Sequence, residues 1–178
     1  SPINSKLKFV HKSRPLSDII KSINKYSNNV MAENLYHTLA LVINEKNNKM
    51  TNAQDLIYQY LKNETKNHSF FIENGSGLSR KTKLTSNLIV SLLKAQYKKV
   101  TFPEFFTSLP IAGLDGTLSE EEIFLREDKS YRFKTGSLNN VRALAGIIIE
   151  HNKKPFFLCY IINHRKAEIA KNVINKFI

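Results

Sequence analysis

Lys134, Thr135 and Gly136 follow one another at the end of a short run that contains two aromatic residues. On a strand, an ammonium and a hydroxyl can bind a carboxylate, and a glycine lets a second backbone approach closely. The N–H group of the next residue, Ser137, can then point into the same site as a donor to an oxyanion. The segment therefore predicts an edge-like strand, ending at these residues, that suits an extended peptide substrate.

A second polar segment, Tyr26-Ser27-Asn28-Asn29, separates two helical patterns far upstream. Its simplest interpretation is helix capping, with Asn29 as the N-cap and Glu33 in the first turn of the next helix. Taken together, however, Ser-Xaa-Asn on a loop between helices and Lys-Thr-Gly on a strand are two of the three sequence blocks of a serine acyl-transfer site. The pair is far more specific than either block alone.

Two more segments carry glycines in polar surroundings, Asn74-Gly75-Ser76-Gly77-Leu78-Ser79-Arg80 and Gly113-Leu114-Asp115-Gly116-Thr117-Leu118. Neither has the glycine spacing or the Lys-Ser/Thr pair of a phosphate-binding loop. Taken alone, each predicts a tight turn that needs a positive φ angle.

The elements that must position these segments follow from hydrophobic periodicity. Apolar residues at helical spacing predict helices near 29–44, 53–61, 88–97 and 170–177, the second after Thr51-Asn52-Ala53-Gln54, which has the capping-box form. Runs rich in β-branched and aromatic residues predict strands at 131–135, 144–150 and 156–163, the last two joined by a turn at 151–155 into an antiparallel hairpin. Helices, then a sheet, then a closing helix indicate an α+β fold rather than a doubly wound parallel sheet.

Size and composition limit the class of protein. The chain has 178 residues and 42% hydrophobic residues, which is enough for one domain with a sizeable core and excludes a disordered or fibrous chain. The formal net charge of +12 favours a polyanionic neighbour: nucleic acid, an anionic membrane or anionic wall polymers. The excess of lysine over arginine weakens the nucleic-acid alternative. A chain with a single cysteine, Cys159, cannot form an internal disulfide. The apolar residues around Cys159 indicate that it is a small buried hydrophobic residue.

With these blocks in order, the chain resembles the class C low-molecular-mass penicillin-binding proteins, the D-alanyl-D-alanine carboxypeptidase/endopeptidase family. The resemblance runs from about His11 to Tyr160. It rests on five blocks: 11–20, 24–33, Gly75-Ser76-Gly77-Leu78-Ser79-Arg80, Asp115-Gly116-Thr117-Leu118 and Lys134-Thr135-Gly136-Ser137-Leu138. It implies a serine β-lactamase/DD-peptidase-like α+β fold in which an antiparallel sheet packs with helices. Residues 1–178 are then expected to be the C-terminal portion of a DD-peptidase domain.

The sequence departs from the family pattern at three points. Asn74 stands where the family usually has Asp, and Ile147 stands where it often has Tyr. The block Ser-Xaa-Xaa-Lys, which carries the family's nucleophile upstream, is expected to be missing. Chance-level matches to this pattern include those that begin at Ser5 and Ser22, and Ser22 is too close to Ser27 for a separate nucleophile helix. We therefore predict that neither Ser5 nor Ser22 is catalytic.

The resemblance assigns roles to the matching residues. Ser27 is the implied proton shuttle to the leaving amine beside Lys134, Asn29 holds the substrate amide, and Lys134 with Thr135 binds the terminal carboxylate. The Ser137 N–H is one of two oxyanion donors, and Gly136 leaves room for the substrate backbone. We therefore expect Ser27, Asn29 and Lys134 to meet in one groove, with the Ser27 hydroxyl near hydrogen-bond reach of the Lys134 ammonium.

Function, partners and location follow from the resemblance as expectations. We expect a serine-type D-alanyl-D-alanine carboxypeptidase/endopeptidase that hydrolyses peptidoglycan stem peptides ending in D-Ala-D-Ala and needs no cofactor or metal. We expect the protein to be periplasmic and to bind β-lactams. This chain alone is expected to be inactive. The N-terminal part of the same protein is an expected partner, and nucleic acid is not. A non-catalytic peptide- or wall-binding module on the same fold is the alternative, and a basic nucleic-acid-binding domain is a third.

Overall fold

A computed structural model describes residues 10–47, 51–119 and 129–174 of the chain. Six α-helices, one 3-10 helix and three strands make up the described part of the chain, in an order that agrees with the predicted α+β class. The elements are α1 (Leu16–Tyr26), α2 (Asn29–Asn47), α3 (Ala53–Thr65), α4 (Ser86–Tyr97), α5 (Phe102–Ser108), η1 (Gly116–Leu118), β1 (Lys129–Leu138), β2 (Val141–Glu150), β3 (Phe156–Asn163) and α6 (Ala167–Ile174).

The three strands form one antiparallel sheet in the order β1-β2-β3. The β2–β3 hairpin confirms the prediction from the polar turn at 151–155. Strand β3 has the predicted bounds, whereas β1 and β2 are longer than predicted. Since β1 continues to Leu138, Lys134-Thr135-Gly136 lies inside the strand and does not end it. The prediction of a strand end there was wrong because the regular ladder with β2 continues through these residues.

The two faces of the sheet have different neighbours. One face carries a core of Tyr131, Phe133 and Leu144, packed against Ala112 and Leu118 from the segment before β1. The opposite face lies against α4, which packs on both β2 and β3. Since neighbouring side chains on a strand alternate between faces, residues of β1 are divided between the core and the helical side.

Two local predictions about the helices need correction, and one short helix was not predicted. The N-cap of α3 is Asn52, whose side chain accepts the Asp55 N–H at 2.8 Å; the capping-box form had indicated Thr51. The N-cap of α2 is Asn28, which accepts the Met31 N–H at 3.0 Å, so Asn29 is the first helical residue. Helix α5 was not predicted because it is short, although Pro103 in its first turn is a helix-start signal.

Gly146 of β2 is a point of very close packing. A Cβ atom there would lie 2.1 Å from the Arg132 carbonyl oxygen and 2.4 Å from a ring carbon of Phe133. Because the first of these atoms belongs to the backbone of β1, the two strands would have to separate. We expect Gly146→Ala to lower the free energy of unfolding by about 3 kcal/mol in urea titrations of the chain.

Gly136→Ala is the matched control for this prediction. Its added Cβ would meet only the Ala143 Cβ, at 3.4 Å, which is an ordinary contact. We expect a change within about 1 kcal/mol. Equal losses of stability in the two variants would contradict the close contact at Gly146.

Within the described residues, no helix is both long enough and apolar enough to cross a membrane.

Candidate active site

Ser27 occupies the turn that joins α1 to α2. Its backbone is left-handed, with φ 53° and ψ 46°, and its N–H donates to the Ile23 carbonyl, as does the N–H of Asn28 at 3.1 Å. A left-handed conformation costs a non-glycine residue about 1–2 kcal/mol. Such strained backbone is concentrated at functional sites. The turn separates the two helices, as the sequence predicts, and presents the half-buried Ser27 side chain to the sheet.

Lys134 of β1 meets Ser27 although 107 positions separate them in the sequence. The Lys134 ammonium donates to the Ser27 hydroxyl oxygen at 2.8 Å and to the Thr135 carbonyl oxygen at 2.9 Å. The predicted contact between the two side chains is thus confirmed. Because the ammonium donates to the Ser27 oxygen, the hydroxyl proton of Ser27 is free to point toward a third group.

The electrostatic environment of Lys134 is unusual for a lysine. Burial lowers the pKa of its ammonium below the ordinary value. In the part of the chain that the structure describes, no carboxylate lies within ion-pair distance of it. A cation without a paired carboxylate is suited to an anionic ligand.

Asn29 lies at the first position of α2, two residues after Ser27. Its side chain is exposed, because Asn28 has taken the capping role that the local pattern assigned to Asn29. The amide of Asn29 is thereby left for another partner beside Ser27. Its predicted contact with a substrate amide stays a prediction.

Thr135 and Ser137 turn their side chains away from Lys134, to the face that carries the core. The Thr135 hydroxyl lies 3.0 Å from the Thr117 hydroxyl of η1. The side chains of Lys134 and Thr135 therefore lie on opposite sides of the strand, and their predicted joint binding of a carboxylate stays a prediction. The physical reason is the two-residue period of a strand, which sends neighbouring side chains to opposite faces.

The backbone of the same segment faces outward from the sheet. The Phe133 N–H donates to the Pro110 carbonyl at 3.1 Å, on the side of β1 away from β2. Because the β1–β2 register is regular, the N–H groups of Thr135 and Ser137 follow on that side. Among described residues, no strand covers this stretch of the edge. A peptide backbone can bind there, next to Lys134.

A cavity of about 290 Å³ lies on the core-side face, between β1, β2 and α6. Thr135, Gly136 and Ser137 line it together with Arg142, whereas Ser27, Asn29 and Lys134 do not. The predicted site residues are therefore divided between the two sides of β1. We take the Ser27–Lys134 contact, not this cavity, as the centre of the site, because it joins the groups that can move a proton.

The 74–80 loop connects α2 to the end of the β1–β2 hairpin. The Ser76 N–H donates to the Glu33 carboxylate at 2.7 Å, and the Arg80 guanidinium donates to the Asn139 carbonyl at 2.9 Å. Asn74, whose role the sequence did not indicate, accepts the Gly77 N–H at 3.2 Å and closes the turn. Glu33 thus binds this loop and also contacts His37 of its own helix, at 3.2 Å.

Ser22 and Lys25, one chance match to Ser-Xaa-Xaa-Lys, do not form a nucleophile pair. The Ser22 hydroxyl donates to the Asp18 carbonyl at 3.0 Å, and the buried Lys25 ammonium contacts both Asp115 carboxylate oxygens at 2.7 and 2.5 Å. This geometry supports the prediction that Ser22 is not catalytic. Ser5 lies outside the described residues.

Several contacts near the site had no clear signal in the sequence. Lys25–Asp115 and Thr117–Thr135 both join the Asp-Gly-Thr-Leu block to the residues around Ser27 and Lys134. The block was recognisable as a motif, but its spacing did not reveal its partners. Within residues 10–47, 51–119 and 129–174, no three His, Cys, Asp or Glu side chains group as metal ligands.

The chain matches a known family over nearly its whole length. The family model described as the D-Ala-D-Ala carboxypeptidase 3 (S13) family covers residues 1–177. Among curated proteins, the D-alanyl-D-alanine carboxypeptidase DacB of Haemophilus influenzae is 26% identical over 172 residues, which is 94% of this chain and 36% of that protein. A penicillin-sensitive carboxypeptidase A of Dictyostelium discoideum is 30% identical over 102 residues, 53% of this chain and 20% of that protein.

Solved structures show the same fold. Penicillin binding protein 4 of Haemophilus influenzae, complexed with a β-lactam, matches with a TM-score of 0.74 and 25% identity, over 93% of this chain and 42% of that one. The Bd0816 predatory endopeptidase of Bdellovibrio bacteriovorus, in complex with an immunity protein, matches with a TM-score of 0.72 and 21% identity, over 99% and 47%. The chain thus spans less than half the length of these relatives, and the predicted DD-peptidase-like fold is confirmed.

Proposed function

This chain belongs to the D-Ala-D-Ala carboxypeptidase 3 (S13) family, and we propose that it forms part of the active site of a serine-type D-alanyl-D-alanine carboxypeptidase/endopeptidase that acts on peptidoglycan stem peptides. The observation that carries the proposal is the 2.8 Å contact between the Lys134 ammonium and the Ser27 hydroxyl oxygen. Two sequence blocks that lie 107 positions apart meet at this contact. The Lys134 ammonium is the donor, which leaves the hydroxyl proton of Ser27 available for transfer.

Ser27 and Lys134 are proposed to deliver a proton to the leaving amine. In the acyl-transfer step the nucleophilic serine gives its proton to the lysine of its own Ser-Xaa-Xaa-Lys block, its oxygen bonds to the peptide carbonyl carbon, the C–N bond breaks, and the amine of the terminal D-alanine takes up a proton. Ser27 donates that proton and receives one from the same lysine, while the Lys134 ammonium stabilises the negative charge that develops on the Ser27 oxygen. Water then resolves the acyl-enzyme.

The edge of β1 is proposed to hold the substrate backbone. The outward N–H of Ser137 is one oxyanion donor, and Gly136 has no side chain to obstruct an approaching peptide. The exposed amide of Asn29 binds the substrate's amide group. The terminal carboxylate lies near the Lys134 ammonium and the Thr135 hydroxyl, which reach it from the two sides of the strand.

The nucleophile is proposed to come from a Ser-Xaa-Xaa-Lys segment in the N-terminal part of the same protein. The chain spans 36% of the Haemophilus relative, so most of a protein of that length is not represented in the 178 residues. We propose a periplasmic location for the whole protein, with D-Ala-D-Ala-terminated peptides and β-lactams as its ligands. The chain alone is then inactive.

Labelled penicillin tests the proposal. The full-length product of the gene is expected to form a covalent adduct that survives denaturation, and the 178-residue chain is expected to form none. Adding the upstream segment as a separate polypeptide is expected to restore labelling. A full-length protein that binds peptidoglycan peptides but never becomes acylated would show a binding module instead of an enzyme.

A further inference from the structure

We propose that Asp115 is a positioning residue of the site, which fixes Ser27 against Lys134 by holding the last turn of α1. The inference rests on the proposed role of Ser27. It concerns the Asp-Gly-Thr-Leu block, to which the mechanism above gives no part. Asp115 precedes η1 and lies in the segment that leads from α5 to β1.

The first observation is a buried charge pair at the end of α1. Lys25, two residues before Ser27, is only 6% exposed, and its ammonium contacts both carboxylate oxygens of Asp115. Asp115 also accepts the Ile111 N–H at 2.6 Å. These donors hold the pKa of Asp115 below its usual range, against the opposing effect of burial. A buried ammonium that loses its carboxylate must move toward solvent or lose its proton.

The second observation is the fit of Gly116 beneath the same turn. Its φ is +62°, and a Cβ atom there would lie 2.5 Å from the Lys25 carbonyl oxygen. The backbone of η1 therefore touches the backbone of α1 at Lys25, two residues before Ser27. Only glycine permits both the left-handed conformation and this approach.

The third observation is that the 110–118 loop is bound to β1 on both sides of Lys134. The Ala112 N–H donates to the Tyr131 carbonyl at 3.1 Å, and the Thr117 hydroxyl lies 3.0 Å from that of Thr135. Leu118 is 1% exposed in the core beneath β1. The loop is thus a rigid connection between the residues that flank Ser27 and the residues that flank Lys134.

Removing the Asp115 charge is expected to loosen α1 and move the Ser27 hydroxyl out of reach of Lys134. In full-length protein, we expect Asp115→Asn to slow acylation by labelled penicillin about 30-fold, since a misplacement of about 1 Å costs on the order of 10²-fold. Asp115→Glu, which keeps the charge, is the milder variant, with an expected loss of about 5-fold. Glu64→Gln breaks a pair whose lysine is more exposed, Lys99–Glu64 at 2.6 Å, and is expected to change the rate less than about 2-fold.

A double-mutant cycle separates positioning from general support of the fold. In a Ser27→Gly background the Asp115→Asn change is expected to cost less than about 2-fold, because its target is gone. The same 30-fold loss in both backgrounds would overturn the inference, and so would a loss below about 2-fold in the parent protein. If Asp115→Asn does not fold, the cycle is run with Asp115→Glu.

The inference can fail separately from the proposed function. If the parent protein is never acylated, the proposed function fails, and the crystal structure of Asp115→Asn decides about positioning. The distance between the Ser27 oxygen and the Lys134 nitrogen, 2.8 Å in the parent chain, is then expected to exceed about 3.5 Å. An unchanged distance would overturn the inference.

Discussion

Ser27→Gly is expected to slow acylation of the full-length protein by labelled penicillin about 10³-fold. The substitution removes the hydroxyl that delivers a proton to the leaving amine, and such a positioned group contributes about 10²–10⁴-fold. Glycine is the informative replacement, because Ser27 has a φ of 53° and glycine adopts that conformation without strain. The rate of acylation is measured at saturating penicillin.

The controls for Ser27 separate chemistry from folding. The melting temperature of Ser27→Gly is expected to stay within about 3 °C of the parent, since the change adds no backbone strain. Ser22→Ala removes a hydroxyl one turn earlier on α1 that donates only to the Asp18 carbonyl. It is expected to leave the acylation rate unchanged. Full activity of Ser27→Gly would remove Ser27 from the mechanism.

Lys134→Met is expected to abolish most acylation while it stabilises the fold. The loss of rate should be about 10²–10³-fold, since the side chain loses charge-assisted hydrogen bonds to the reacting groups. At neutral pH the free energy of unfolding is expected to rise by about 1 kcal/mol. Methionine fills the space of the lysine stem without burying a cation. Urea titrations of the chain measure the stability.

The pH dependence of this gain has a definite sign. Burial lowers the pKa of Lys134 below its ordinary value of 10.5, so the unfolded chain binds this proton more tightly than the folded chain. The stability contribution of Lys134 is therefore least favourable at pH values below its lowered pKa, and it rises as the pH rises from that value to 10.5. The gain in Lys134→Met should shrink through the same range. A gain that is constant with pH would contradict the burial of a charged ammonium.

Lys81→Met is the matched control for Lys134→Met. The Lys81 side chain is 77% exposed and pairs with Glu73 on the surface. Replacing it removes a lysine of the same length with no buried charge to relieve. We expect no gain of stability at any pH between 6 and 10.

The residue types and periodicity of short stretches were sufficient to predict most of the helices and the strands. The β-branched and aromatic residues of 156–163 predicted β3 with its observed bounds, and apolar spacing found most of the helices. The helix predictions succeed because a 3.6-residue period records which side of a helix is buried, and the strand prediction succeeds because β-branched and aromatic side chains fit a pleated sheet. The strand that carries Lys134 was predicted too short, because residues 136–138 lack apolar alternation and are held by the ladder with β2.

The resemblance carried by the order of the motifs was sufficient to name Ser27 and Lys134 as partners. Neither hydrophobic period nor propensity indicates a contact across 107 positions. The inference came from the resemblance to a family in which these two blocks contribute a hydroxyl and a cation to one site. It also gave Thr135 a part in carboxylate binding, which stays a prediction; the Thr135 side chain lies on the other face of β1 and meets Thr117.

The residue types, their periods and their motifs thus specified the α+β class, the strand with its cation and the turn with its hydroxyl. Only the packed chain decided that Asn28 and not Asn29 caps α2, and that Lys25, a surface residue by type, is buried on Asp115. The physical reason is that an ion pair forms only where packing brings two charged groups within about 4 Å, and that the choice between neighbouring caps depends on the conformation of the turn between the helices. The packing of α1, the 110–118 loop and β1 is not contained in any local stretch of sequence.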